Sequence, residues 1–288
     1  MHNASIIIPV YNNYKLLVDT LASLDSQISN LAYEVIVVDN GSTHGLPTLP
    51  KYSNFSLIQG YCSTPGSYAA RNVGIQMATS DIFVFLDSDC TPEPCWLKNG
   101  VDALQHSSIV GGEVTFSEPT SRNIVERFQH HAGFQQIQNI TKKNFSATAN
   151  LFVARETFFI VGKFDEHLLS GGDREWCWRA QKKGIKISYC ADAVVTTRAR
   201  NTFGQILRQT RRVTGGRLQL SQKKYDDIRP HFGLSPHQHA MSTLAHLLLD
   251  KRLTLYNRLA FIGLAALLRG IAIIEKTRLK LGGKPERL

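Results

Sequence analysis

Three uninterrupted apolar runs constrain this chain more than any other feature. ASIIIPVY (4–11), YEVIVVDN (33–40) and DIFVFLD (81–87) are continuous rather than alternating. A strand with one wet face alternates apolar and polar residues, whereas a strand buried on both faces does not. Between these runs, residues 14–28 carry Leu16, Leu17, Leu21, Leu24 and Ile28 at helical spacing, and 67–78 read as a second helix. FSLIQG (55–60) is a weaker strand. Strand, helix, strand, strand, helix, strand is the rhythm of an α/β fold, a mostly parallel sheet flanked by helices.

Past residue 107 the pattern loosens. SIVGGEVTF (108–116) reads as a strand, 120–138 as a polar helix, and 147–166 as a strand followed by a short helix. Residues 173–184 make a helix, 186–196 one or two strands, and 244–281 are mostly helical. The start, MHNASIIIPV, has no basic leader segment and reads as the first strand. The five cysteines have no paired zinc spacing and read as free thiols of a reducing compartment.

Ligands of parallel α/β sheets bind outside the carboxyl ends of the strands. The first run ends in Pro9, Val10, Tyr11 and Asn12, the second in Asp39, Asn40, Gly41 and Ser42, the fourth strand in Asp87, Ser88 and Asp89. One acidic turn is ordinary; three polar strand ends at one rim argue for a site. Two carboxylates one residue apart repel unless a cation or donors compensate. Hard cations such as Mg²⁺ and Mn²⁺ suit Asp87 and Asp89 and leave positions free for a diphosphate. Asp39 can accept from ribose hydroxyls or a base N–H, and Tyr11 offers a ring for stacking. Arg71, early in the helix before the acidic strand, suits a phosphate or a base edge. In SGGDREWCWRA (170–180), Asp173 follows two glycines at a helix start. It is either a simple N-cap or a base that takes a proton from a sugar hydroxyl, with Glu175 as the second candidate and an indole, Trp176 or Trp178, against the sugar.

The ordered motifs SIIIPVYNN, VIVVDNGS, ARNVGIQMATSD, FLDSDCTP and GGDREW resemble a family 2 glycosyltransferase of the GT-A fold, over roughly residues 4–215. The resemblance implies inverting transfer of a sugar from a nucleotide diphosphate sugar, UDP-sugar favoured, to a hydroxyl of a polysaccharide or lipid-linked saccharide. It implies Asp173 as general base and Glu175 beside it, and a donor site of Pro9, Tyr11, Asp39, Arg71, Asp87 and Ser88. A divalent cation, Mn²⁺ or Mg²⁺, falls to Asp87 and Asp89, and acceptor contacts to Trp176, Arg179, Gln209 and Arg212, the last two within ILRQTRRVTGGR (206–217). Gly172 stands where an acidic residue often precedes the base, a common variant. One place departs from the family pattern: Thr197 stands where a histidine often helps hold the metal.

The net charge of +10 is uneven. Residues 1–197 hold 15 Lys/Arg against 18 Asp/Glu, a net of −3, while 198–288 hold 18 against 5, a net of +13. This points to an anionic partner for the last third. The division expected is a catalytic domain over 1–215 and a basic, amphipathic helical extension over 216–288. In 244–281 the longest uncharged stretch, Leu259–Leu268, is too short to span a bilayer. Lys251, Arg258, Arg269, Lys276 and Lys280 fall on one stripe, which suits a helix in the membrane interface. The reading is a cytoplasmic enzyme, peripheral on the cytoplasmic membrane face. Two alternatives are weighed. A nucleotidyltransferase wants a glycine-rich, lysine-bearing loop after the first strand, and PVYNNYK lacks it. A non-catalytic anion-binding protein would use the basic third on nucleic acid, but no aromatics interleave with the basic run, so no nucleic-acid partner is expected.

Overall fold

The strands within the first two long runs are buried along their whole length because helices cover both faces. Leu17, Leu21 and Leu24 pack with Ile6, Ile8, Val35 and Val37 on one face, and the helix carrying Gly74 lies against Ile7 and Val38 on the other. In the computed structural model, which describes residues 3–121, 123–230, 247–251 and 253–286, β1 (Ala4–Val10) and β2 (Tyr33–Asp39) are inaccessible at every position. The exception to their apolar character is a matched pair. Ser5 donates to the Glu34 carboxylate at 2.6 Å, and the backbone N–H and hydroxyl of Thr79 add bonds of 2.7 and 2.9 Å. A buried carboxylate persists only when so satisfied.

The remaining strands are β3 (Ser56–Tyr61), β4 (Ile82–Leu86), β5 (Cys90–Pro92), β6 (Ile109–Phe116), β7 (Asn150–Ala154) and β8 (Ser188–Thr197). The eight form one sheet in the order β3-β2-β1-β4-β7-β6-β8-β5. β3, β2, β1 and β4 are mutually parallel, as are β6 and β8, while β7 runs antiparallel between β4 and β6, and β5 antiparallel to β8. The parallel half therefore presents the ends of β1, β2 and β4 at one rim. Asn150 ties the other half together. It accepts from Trp96 Nε1 at 2.8 Å and donates to the carbonyls of Glu113 and Ala193 at 2.7 and 2.8 Å.

The helices are α1 (Tyr14–Asp25), α2 (Ser67–Met77), α3 (Trp96–Ala103), α4 (Ile124–Ala132), α5 (Gln136–Lys143), α6 (Arg155–Val161), α7 (Gly172–Lys182), α8 (Phe203–Leu220) and α9 (Leu255–Lys280). The single helix expected over 120–138 is two, α4 and α5. Gly133 and Gln135 both take positive φ, 65° and 61°, and break it. α2 lies close on the sheet because residue 74 is glycine: a Cβ there would stand 2.6 Å from Ile7 Cγ2.

The chain divides into two units. The first holds the whole sheet, up to Ser117 and from Phe134 to Arg198. The second is Glu118–Gly133 with Ala199–Glu286, that is α4, α8 and α9. The expected boundary at 215/216 falls inside α8. Within the second unit Val125, Ile206 and Leu264 form a small core, and Phe261 packs on Phe128 and His131. Glu275 is buried there between Arg278, at 2.6 Å, and Arg211, at 3.8 Å. α8 begins with a reciprocal cap between Thr202 and Gln205. The helix expected over 244–281 is described as α9 from Leu255; Lys251 precedes it, and 244–246 lie outside the described residues.

Candidate active site

The three strand ends are stitched together by polar side chains. Asn12 follows β1 in the left-handed region, φ 51°. Its N–H donates to Ser42 Oγ at 2.9 Å and its Oδ1 accepts from Thr43 N–H at 2.8 Å, joining the β1 loop to the β2 loop. Asn13 donates to Ser88 Oγ at 3.3 Å, joining β1 to the acidic turn. Asn40 donates to the carbonyls of Cys62 and Thr64 and accepts from Gly66 N–H, which fixes the entry to α2. A cleft of about 500 Å³ opens between the β1 and β2 loops, lined by Asn12, Asn13, Ser42, Thr43 and His44 among others. Of these, Asn12 and Ser42 are read from the sequence only as strand ends, and Asn13, Thr43 and His44 not at all, although PVYNN and DNGSTH contain them.

The donor-side candidates gather at this rim. Pro9 is buried in β1 and Tyr11 half-buried just past it. Asp39 Oδ1 accepts from Ser42 N–H at 3.0 Å, so this carboxylate shapes the turn with one oxygen. Arg71, on α2, is buried and ion-paired with Asp87, whose own side chain is 40% exposed. Neutralised on the protein side, Asp87 still faces solvent. Ser88 is buried, its carbonyl bonded by Thr20 at 3.2 Å.

Asp89 is half-buried beside Cys90. Burial first, then the Asp89 and Asp87 carboxylates, push the Cys90 thiol well above its ordinary range. Thr197 pairs with Cys90 across β5 and β8, next to Asp89. Thr197 thereby stands beside the acidic turn and carries a hydroxyl. Among the described residues no group of three or more His, Cys, Asp or Glu could hold a metal ion. The local donor set is two carboxylates on one turn. That suits a hard cation completed by oxygens of a bound diphosphate rather than a site closed by protein alone.

At the start of α7, Gly171 takes the left-handed N-cap position, φ 82°, so Asp173 is not the cap. Its Oδ1 accepts from Arg174 N–H at 2.8 Å and from the Tyr68 hydroxyl at 3.3 Å. Tyr68 is buried on α2, one turn before Arg71, whose guanidinium lies 5.5 Å from the Tyr68 ring centre. One face of α2 thus holds both carboxylates, Asp173 through Tyr68 and Asp87 through Arg71. The ring of Tyr68 also explains Gly172: a Cβ there would meet its Cδ2 and Cε2 at 2.7 Å.

Three further candidates are placed in the fold rather than at a ligand. Glu175 is 4% exposed and bonds Arg179 at 2.7 and 3.0 Å. Arg179 in turn bonds the carbonyls of Val161 and Lys163 at 2.6 and 2.7 Å, clamping α6 to α7. Trp176 is fully buried, stacked on Phe158 at 5.5 Å and donating to Gly162 O at 2.7 Å, with no face left for a sugar. Gln209 and Arg212 lie on α8 in the second unit, both half-buried.

Comparison with known proteins matches this arrangement to a family. Residues 5–165 match the family model of glycosyl transferase family 2. Glycosyltransferase AglE of Haloferax volcanii is 36% identical over 239 residues, 80% of this chain and 78% of that protein. The pre-mycofactocin glycosyltransferase of Mycobacterium tuberculosis is 28% identical over 67% of this chain but only 42% of its own length. In solved structures the fold aligns with S. aureus TarS 1-349 in complex with UDP, at TM-score 0.53 and 17% identity, over 98% of this chain and 92% of that one. The sheet with its polar rim and the match over more than half the chain agree: this protein belongs to glycosyl transferase family 2 and is a glycosyltransferase.

Proposed function

We propose that the enzyme transfers a sugar, with inversion, from a UDP-sugar to a hydroxyl of a saccharide acceptor, free or lipid-linked, with Asp173 as general base. The observation that carries this reading is the double duty of α2, which braces Asp173 with Tyr68 and Asp87 with Arg71. A base and a diphosphate-binding group braced by one rigid element are held at fixed separation, as single displacement requires. The solved relative bound to UDP supports the choice of nucleotide.

Tyr68 and Arg174 N–H occupy Oδ1 of Asp173, which leaves Oδ2 to take the acceptor proton. The acceptor oxygen then bonds the anomeric carbon as the bond to the nucleotide diphosphate breaks on the opposite face. Base assistance of this kind contributes about 10²- to 10⁴-fold. Arg71, ion-paired with Asp87, adds positive charge near the departing diphosphate. Asp87 and Asp89 would hold a divalent cation, Mn²⁺ or Mg²⁺, which when bound neutralises diphosphate charge. Asp39, Tyr11 and the cleft beside Ser42 and His44 receive the nucleoside, and Gln209 and Arg212 belong to the acceptor side. The protein works peripherally at the cytoplasmic face of a membrane.

The test is thermal stabilisation by a panel of UDP-, GDP- and dTDP-sugars, with and without Mn²⁺, on the wild type and Asp173→Asn. Ligand at 100 times its Kd stabilises the native state by about 2.7 kcal/mol. One nucleotide class should raise the midpoint equally in both proteins, while only the wild type turns over. No shift with any nucleotide would end this reading.

A further inference from the structure

The face of α9 turned away from the second unit's core is apolar, and the transfer chemistry makes no use of it. Leu255, Leu259, Leu267, Ile273 and Ile274 are each 51–69% exposed. At about 100° per residue they share an arc of about 120°. Phe261, Leu264 and Glu275 lie on the opposite side and are buried against α4 and α8. Single exposed aliphatics are ordinary on a protein surface; five along one face of one helix are not.

Cations follow one edge of this arc. Arg258, Arg269, Lys276 and Lys280 fall within about 60° of it. Arg269, Lys276 and Lys280 are exposed and form no ion pair among the described residues. No described helix is long and apolar enough to cross a membrane. An acidic protein partner would answer the charges but leave the aliphatic arc unmatched. The boundary between acyl chains and anionic headgroups answers both along the length of the helix.

We infer that α9 lies in the plane of an anionic bilayer. The Leu/Ile arc sits at the acyl boundary, and Arg269, Lys276 and Lys280 meet headgroup phosphates. This deepens the peripheral-membrane part of the proposed function and rests on neither the donor nor Asp173.

The test is cosedimentation of the full chain with phosphatidylcholine vesicles, pure or containing about one third phosphatidylglycerol, at low and high salt. The wild type should bind the anionic vesicles, bind the neutral ones more weakly, and be released by salt. Reversing three charges, Arg269→Glu with Lys276→Glu and Lys280→Glu, should lower anionic binding on the order of 100-fold. Leu259→Asp with Ile273→Asp should lower binding to both vesicle types by at least about tenfold. All these side chains are exposed, so the melting midpoint should hold. The inference is overturned if the wild type does not bind, or if both variants bind as it does. It is also overturned if Leu259→Asp with Ile273→Asp converts a dimer to a monomer while vesicle binding stays, because a second copy then covers the arc. UDP-sugar thermal shifts on the same variants separate this result from the transfer reading: lost vesicle binding with an intact shift bears on α9 alone.

Discussion

Replacing Gly172 by alanine tests whether the Tyr68 ring dictates the start of α7. The added methyl would lie 2.7 Å from two ring carbons and 2.9 Å from a third. The ring has little room to yield, since it packs on Phe164 at 5.7 Å, lies under Arg71, and holds Asp173 through its hydroxyl. Overpacking of this kind costs about 1–3 kcal/mol. Alanine in place of a helical glycine returns up to about 1 kcal/mol. Gly172→Ala alone should therefore destabilise by up to about 3 kcal/mol. In a Tyr68→Ala background the methyl enters vacated space, and the same change should be neutral or stabilising. Urea unfolding of the four proteins in this cycle should give a coupling of about 1–3 kcal/mol. In thermal melts that is several degrees, at about 2–4 °C per kcal/mol for a protein of this size. If the two changes add to within about 0.5 kcal/mol, Tyr68 does not explain Gly172, and its proposed hold on Asp173 loses its main support.

Tyr68→Phe keeps the ring and removes only the hydroxyl; turnover should fall about tenfold while the UDP-sugar thermal shift is unchanged, separating kcat from donor binding. Glu275 tests the second unit. Hydrogen bonds from Arg278, with Arg211 adding charge, hold its carboxyl below the ordinary value of 4.5. A lowered folded-state value contributes stability above the unfolded value and loses it as pH falls through the folded one. Glu275→Gln should accordingly lower stability at neutral pH and flatten its decline below about pH 4.5, read by thermal melts across pH. For the thiols, Cys95 is exposed, while Cys90 and Cys177 are buried with burial raising both. Native-state alkylation should mark Cys95 and spare Cys90 and Cys177 until the protein unfolds, as peptide mass mapping would show.

The legible part of the fold was the part in which burial leaves a mark on composition. β1, β2 and β4 announce themselves because both faces are covered, so nearly every residue must be apolar. β5 does not, because Cys90–Pro92 is three residues long and exists only through its pairing with the end of β8. The break between α4 and α5 depends partly on Gln135 adopting positive φ, which a glutamine does not signal.

The same logic separates the site residues. Asp39, Asp87 and Asp89 stand out as candidates because polar residues at the ends of buried strands have few purely structural reasons to gather there, and Arg71 joins them through its ion pair with Asp87. Glu175, Trp176 and Arg179 misled because a helix start gives spacing without saying which face is covered. Two signs pointed to a covered face. Glu175 and Arg179 stand four apart, the spacing of a pair on one helix side. The aromatic run of Phe158, Phe159 and Phe164 just upstream needs something large against it, and Trp176 supplies it. Tyr68 is hard to see for the opposite reason, since a lone tyrosine beside alanines has the pattern of a core residue. Its meaning comes from its place in a series: Tyr68, Arg71 and Gly74 recur every three residues along α2. Gly74 lets the helix close on β1, Arg71 then reaches the turn after β4, and Tyr68 reaches the start of α7. A helix that must approach a sheet closely enough to need glycine is also the helix best placed to hold two carboxylates at fixed distance. Widening that approach should loosen both at once, so a bulky residue at 74 should weaken nucleotide binding and turnover together, whereas Tyr68→Phe should touch turnover alone.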